Sequence, residues 1–291
     1  MYTPGDLSGQ TWLLTGSNDG IGLHTAHGLV AMGATLLAHA RSADKAQATA
    51  AALRVARPSA TVIPVWGELS SQAEVRALGG QILAQAPKLH GLLHNAGALF
   101  STYAPTVDGV ERQLAVNHLA PFLLTHLLWP RLRATGPGRV VVVSSMAHYK
   151  GQIDWSDLNH SQRYDAQKVY RFTKLANVLF TRQLAQKGRA DGITVNCLHP
   201  GVVATRIADK MAWWAGLAWL AIRPFQISAE AGAKTSLYCA ASPDLEGITG
   251  CYFDKCTQKE PSALAQDPAA AQRLWEESER LVKLQADETI D

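Results

Sequence analysis

A chain of 291 residues, 47% hydrophobic and 18% charged, has the composition of a globular protein and is long enough to bury a substantial core, which sets aside disordered and fibrous classes. A net charge of +3 is too small for the dense basic surface of a nucleic-acid binder. The four cysteines, Cys197, Cys239, Cys251 and Cys256, form no C-x-x-C pair, which fits a reducing, cytoplasmic setting. The first residues lack the basic start and apolar core of a signal peptide. The longest apolar run, MAWWAGLAWLAI at 211–222, would span about 18 Å as a helix, so no transmembrane segment is expected.

From the amino end, TWLLT (11–15) reads as a strand and 20–32 as a helix. TLLAHA (35–40) is a second strand, followed by an alanine-rich helix over 43–57. TVIPVW (61–66) precedes a helix over about 71–85. GLLHN (91–95) precedes one over about 110–128, and RVVVVS (139–144) precedes a long helix over about 165–187. ITVNCL (193–198) is a sixth strand and GCYF (250–253) a short last one. Unbroken apolar runs such as VVVV at 140–143 mark strands buried on both faces. This alternation predicts an α/β fold: a doubly wound, Rossmann-type, mostly parallel sheet of about seven strands, with helices on both faces, in one domain over 1–291.

Ligands of such sheets sit outside the carboxyl ends of the strands. TGSNDGIG (15–22) lies there, between the first strand and the first helix. Gly16, Gly20 and Gly22 permit a tight turn and let the main chain approach a pyrophosphate at a helix N-terminus. Their spacing is G-x-x-x-G-x-G, not the G-x-G-x-x-G fingerprint.

RYDAQKVYRFTKLANVLF (163–180) holds two Tyr-x-x-x-Lys pairs, Tyr164/Lys168 and Tyr170/Lys174. Residues i and i+4 share a helical face, so either pair could work as an acid–base device. Asp165 is suited to cap the long helix, which would leave Tyr164 outside it. At about 100° per residue, Tyr170, Lys174, Asn177 and Thr181 form one stripe, while Lys168 aligns with the packing face of Phe172, Leu175 and Leu179. Tyr170 with Lys174 is the pair expected to react, and Lys168 is expected in solvent.

Six ordered segments resemble the short-chain dehydrogenase/reductase family: TGSNDGIG, HNAG (94–97), VNHLAPFLLT (116–125), VVVSSMAH (141–148), YRFTKLANVLF (170–180) and HPGVVAT (199–205). The tail over 251–282 resembles the retinol-dehydrogenase-like branch. The resemblance implies an oxidoreductase that interconverts a carbonyl and an alcohol with a nicotinamide cofactor. It implies Asn117, Ser145, Tyr170 and Lys174 as the catalytic set. Tyr170 would be the acid or base. Lys174 and an oxidised nicotinamide would lower its pKa from about 10, and Lys174 would also hold the nicotinamide ribose. Ser145 would bind the substrate oxygen, with Ser144 as second choice, and Asn117 would anchor a water chain to Lys174. Implied cofactor contacts are Gly16, Ser17, Asn18, Asp19, Gly20, Ile21 and Gly22 in the first turn. Others are Glu68 and Leu69 after the third strand, Asn95, Ala96 and Gly97 after the fourth, and Pro200, Gly201, Val203 and Thr205 after the sixth.

At the end of the second strand an acidic residue would bind a ribose 2′-hydroxyl and a cation a 2′-phosphate. Ala40 stands where the acid would be, with Arg41 beside it, so NADP(H) is expected and NAD(H) is the alternative. Asp19 argues the other way, since some NADP enzymes carry a basic residue there. Glu68 replaces the family's usual Asp. His94 replaces an Asn and is expected to be structural. His24 and His27 are expected on a helix surface, and the ten histidines show no ligand spacing, so no metal is expected.

The segment between Ser145 and Tyr170 is longer than in many relatives and should border the substrate. The apolar run at 211–225, within about 202–227, is expected to be a lid over a bulky apolar carbonyl or alcohol. A core or homo-oligomer interface helix and a peripheral membrane contact are its alternatives. A C-terminal extension is expected over about 254–291. Two rival functions are weighed: an epimerase or dehydratase, which would favour a longer chain and another glycine spacing, and an NADP-binding regulatory or scaffold protein. The latter often lose the Tyr or the Lys, and both are present here.

Overall fold

Strands without polar alternation must be covered on both sides, and the computed structural model, which describes residues 5–201 and 228–290, covers them so. The strands are β1 (Thr11–Leu14), β2 (Thr35–Ala40), β3 (Val62–Trp66), β4 (Gly91–His94), β5 (Arg139–Val143), β6 (Thr194–His199), β7 (Tyr252–Asp254) and β8 (Thr257–Lys259). They form one sheet in the order β3-β2-β1-β4-β5-β6-β7-β8, parallel throughout except for the last pair. Order reverses between β1 and β4, and the crevice at such a switch point is where doubly wound sheets bind ligands.

The helices are α1 (Gly20–Ala31), α2 (Ala43–Ala56), α3 (Gln72–Gln85), the single turn α4 (Arg112–Leu114), α5 (Ala120–Thr135), α6 (Ala166–Lys187), α7 (Ala229–Ala241) and α8 (Pro268–Val282). Side chains alternate between two cores, as the period of two requires. Leu13, Val140 and Val142 join α3, α5, α6 and α8 on one face. Trp12, Leu14, Val141 and Val143 join α1, α2 and α7 on the other. Among the described residues, no helix is long and apolar enough to cross a membrane.

Several expectations change. The sheet has eight strands rather than about seven, because Lys255 and Cys256 both take positive φ and fold Thr257–Lys259 back as a hairpin. Asp254 belongs to β7, so the expected extension from 254 begins inside the sheet. The fourth helix, expected over about 110–128, runs from Arg112 through α4 and a π-helical turn into α5 and continues through Pro130 to Thr135. Proline removes one main-chain bond there, and burial of Leu128, Trp129 and Leu132 offsets the loss. Helices α7 and α8 were not anticipated. The run at 211–225 lies outside the described residues.

Candidate active site

The nucleotide side of the crevice is built from main chain. Gly16 and Gly20 have φ of 66° and 52°, which favour glycine. A methyl group at Gly22 would lie 1.9 Å from the Gly16 carbonyl oxygen, so the turn closes only around a hydrogen. Asn95 braces it: Nδ2 donates to the carbonyls of Thr15 (3.0 Å) and Gly16 (3.1 Å). The Thr15 hydroxyl accepts from the amides of Asn95 and Ala96. Asp19 caps α1 and accepts from the Gly20 amide at 2.8 Å. Asn18 is exposed beside it, Ile21 is partly exposed, and Ser17 is buried with its hydroxyl on the His39 carbonyl.

His39 itself was missed by sequence reasoning, although a polar residue inside TLLAHA was the signal. Its Nδ1 accepts from the Gly16 amide at 3.2 Å, and its Nε2 donates to the Gly67 carbonyl at 3.0 Å. One buried imidazole thus ties the glycine turn to the end of β3, and burial lowers its pKa toward the neutral form. Arg41 is exposed at the end of β2. Glu68 is partly buried, with one oxygen accepting from the Ser70 amide. The Leu69 side chain packs into the core. His94 is buried, bonded to the Thr125 hydroxyl at 2.8 Å, and held neutral by burial with a pKa of about 3. His24 and His27 are exposed.

The catalytic side is built from buried side chains. Asp165 caps α6 through the amides of Gln167 and Lys168. Tyr164 therefore lies before the helix, and its hydroxyl donates to the Phe100 carbonyl at 2.7 Å. Lys168 is exposed, while Lys174, Asn177 and Thr181 are buried along one stripe. Ser145, at the carboxyl end of β5, hydrogen-bonds the Tyr170 phenol. Ser144 is occupied differently, donating to the Lys174 carbonyl at 2.7 Å. Lys174 donates to the Val143 carbonyl at 3.0 Å, and its ammonium lies 5.7 Å from the centre of the Tyr170 ring. Burial brings the Lys174 pKa down to about 8. The expected fall of the Tyr170 pKa is not what the protein alone produces. Burial raises it, and the bond from Ser145 offsets only part of the rise.

Asn117 sits in a π-helical turn, Ala115–Leu119, between α4 and α5. Its Oδ1 accepts from the Ala98 amide, and its Nδ2 donates to the Ala98 carbonyl and the Thr173 hydroxyl. The side chain is thus engaged by protein, which leaves only the main-chain carbonyl for a water. Pro121, four residues on, cannot supply the α-type donor to that carbonyl. A methyl group at exposed Gly97 would come within 3.4 Å of the Lys174 ammonium and 3.5 Å of Asn117 Oδ1. The glycine turn, Gly97 and Lys174 thus lie at one end of the sheet, and the main-chain amides at the start of α1 are the donors that a dinucleotide pyrophosphate would need. Pro200 and Gly201 follow β6 at the same end of the sheet, with Gly201 at φ 92°. Val203 and Thr205 lie outside the described residues.

Residues 10–215 match the family model described as short chain dehydrogenase. Human retinol dehydrogenase 12 is 40% identical over 92% of this chain and 85% of its own length. An uncharacterized Mycobacterium paratuberculosis protein of solved structure superposes with a TM-score of 0.77, at 33% identity, over 96% of both chains. A Beutenbergia cavernae protein, assigned as an NAD(P) dependent gluconate 5-dehydrogenase and solved with NADP, gives a TM-score of 0.70 at 26% identity, covering 87% of this chain and 97% of its own.

Proposed function

The chain belongs to the short-chain dehydrogenase/reductase family, in its retinol-dehydrogenase-like branch, and from that premise we propose that it is an NADP(H)-dependent reductase of apolar carbonyls. As a member of the family it is an oxidoreductase acting on CH–OH and C=O groups. The observation that carries the finer reading is the meeting of Ser145, Tyr170 and Lys174 at the carboxyl end of β5, beside the glycine turn.

The bound nicotinamide would supply the hydride. The Ser145 hydroxyl, one bond from the Tyr170 phenol, orients the carbonyl oxygen by donating to it. Tyr170 gives that oxygen its proton. A phenol kept protonated by burial suits this direction, because a general acid must hold its proton until the oxygen becomes basic. Lys174, with a pKa near 8, holds a proton that it can give up near neutrality, and water at the Asn117 carbonyl would pass it to Tyr170. Exposed Arg41 supports NADP(H) over NAD(H), since its cation is available to a 2′-phosphate. Met146 and Tyr149, 53% and 48% exposed beside Ser145, support an apolar substrate. The free cysteines support a cytoplasmic location.

The test is a series of aldehydes and ketones of increasing chain length, assayed with NADPH and NADH by absorbance of the reduced nicotinamide. NADPH consumption that rises with chain length is expected. NADPH binding without consumption by any carbonyl would replace the enzyme with a binding protein.

A further inference from the structure

The segment VVVSSMAH closes on a histidine to which the chemistry above gives no role. His148 is fully buried. Its Nδ1 lies 2.7 Å from the Ser145 carbonyl oxygen, which also accepts from the His148 amide at 3.1 Å. Its Nε2 lies 3.2 Å from the Ser262 amide. A carbonyl only accepts and an amide N–H only donates, so the partners fix the ring as the neutral tautomer with its proton on Nδ1. The Tyr149 and Tyr252 rings pack against it, with centroids 4.0 and 4.6 Å away. Next to it, the Tyr149 hydroxyl donates to the Glu260 carbonyl at 2.6 Å. Thus two neighbouring side chains of the Ser145 turn grip the irregular stretch that follows β8.

We propose that His148 is a positioning residue for Ser145, holding the serine's main chain through Nδ1 and the stretch around Ser262 through Nε2. The chain after β8 thereby becomes a part of the active site that never touches substrate. The Ser145 hydroxyl also accepts from the Ala147 amide at 3.2 Å, so its aim at Tyr170 depends on where the main chain of this turn sits. An imidazole clamped from both sides removes the freedom that would let it drift. The inference rests on the reading of Ser145 as the substrate-orienting group.

The two nitrogens can be tested apart. Asn at 148 places an amide donor where Nδ1 is, and Gln places an acceptor where Nε2 is. With NADPH and a carbonyl that the wild type turns over, His148→Gln should lower kcat about 10- to 100-fold, as expected when a reacting group is misplaced. Its NADPH dissociation constant should stay within about 2-fold. His148→Asn should restore most of kcat. Equal losses in both variants, in proportion to their fall in Tm, would overturn the proposal and leave His148 a packing residue. If Ser145→Ala keeps full turnover, the reading of Ser145 fails first and the proposal with it. A measurement on the wild type stands whether or not the variants fold. Long-range ¹⁵N–¹H correlation of the histidine rings should show a proton on Nδ1 and none on Nε2 for the signal absent from His148→Asn or, failing that variant, the signal coupled to Ser145. An Nε2–H tautomer there would overturn the proposal.

Discussion

The two sides of the crevice obey different rules. On the nucleotide side, the shape comes from main chain: Gly16 and Gly20 turn, Gly22 leaves room, and Asn95 and His39 brace carbonyls and amides. On the catalytic side, the reacting groups are side chains, and burial decides their chemistry: Lys174 is brought down to about 8 while Tyr170 is pushed up. The difference teaches where each side is vulnerable. A binding surface of amides tolerates changes of side chain but not of backbone torsion. A reacting set tolerates neither a lost atom nor an altered burial.

The sharpest break of this contrast is Tyr170→Phe. Loss of the acid should lower kcat by about 10²- to 10⁴-fold while NADPH still binds. Tyr164→Phe, which loses a bond to the Phe100 carbonyl and a contact with the buried Glu111 carboxylate, should keep turnover. A dead Tyr164→Phe variant with an intact Tyr170→Phe would reverse the assignment. On the nucleotide side, Arg41→Ala should remove most of the preference for NADPH over NADH, a change of about 10- to 150-fold in relative affinity for one charged hydrogen bond. Titration of both cofactors by fluorescence measures it, and equal affinities in the wild type would sink the role of Arg41.

Acid should act between the two sides, at His94. The unfolded imidazole titrates near 6.5, whereas burial holds the folded one near 3. Below about pH 6.5 the unfolded chain therefore binds the extra proton. Stability is full above that pH and falls as pH drops toward 3, by about 1.4 kcal/mol per pH unit for each such group. His118, His126 and His199, each lowered to about 4 by burial, add to the same slope. Urea melts from pH 7 to 4 should show His94→Gln with a slope shallower by about one proton, and an unchanged slope would place the acid lability elsewhere. The smallest effect belongs to Asp19. Its carboxylate caps α1 where a phosphate would draw on the same helix end, so Asp19→Asn keeps the cap and should tighten NADPH about 2- to 5-fold. Weaker binding in that variant would mean that the carboxylate itself assists.

Much of this was legible from the chain alone. Strand and helix alternation gave the sheet because burial on both faces writes an unbroken apolar run, as at Val140 to Val143. The place of Tyr164 outside α6 was legible because Asp165 could only be a cap if Tyr164 stood before the helix. The rest was hidden for physical reasons. Helix α7, rich in Ala and small polar residues, shows little periodicity. Helix α8 carried readable signs, Asp267 as cap and Pro268 in the first turn, that were read only as likeness to a family tail. The rise in the Tyr170 pKa depends on burial, which no residue spacing reports. His39 and His148 act through main-chain groups of distant segments, so their partners emerge only once the chain is folded.

One feature of the sheet bears on the fate of the protein rather than on its chemistry. An open sheet ends in two rims of unpaired main-chain donors and acceptors, and such rims recruit strands from other molecules. Among the described residues one rim is β3, where Pro64 has no N–H to offer and the Gln81 side chain takes the main-chain N–H and carbonyl of Trp66. The other is β8, three residues long, polar and exposed, ending in Lys259. A short, charged strand is a poor template for stacking. The small antiparallel hairpin at the end of the sheet thus guards a long apolar sheet against edge-to-edge association.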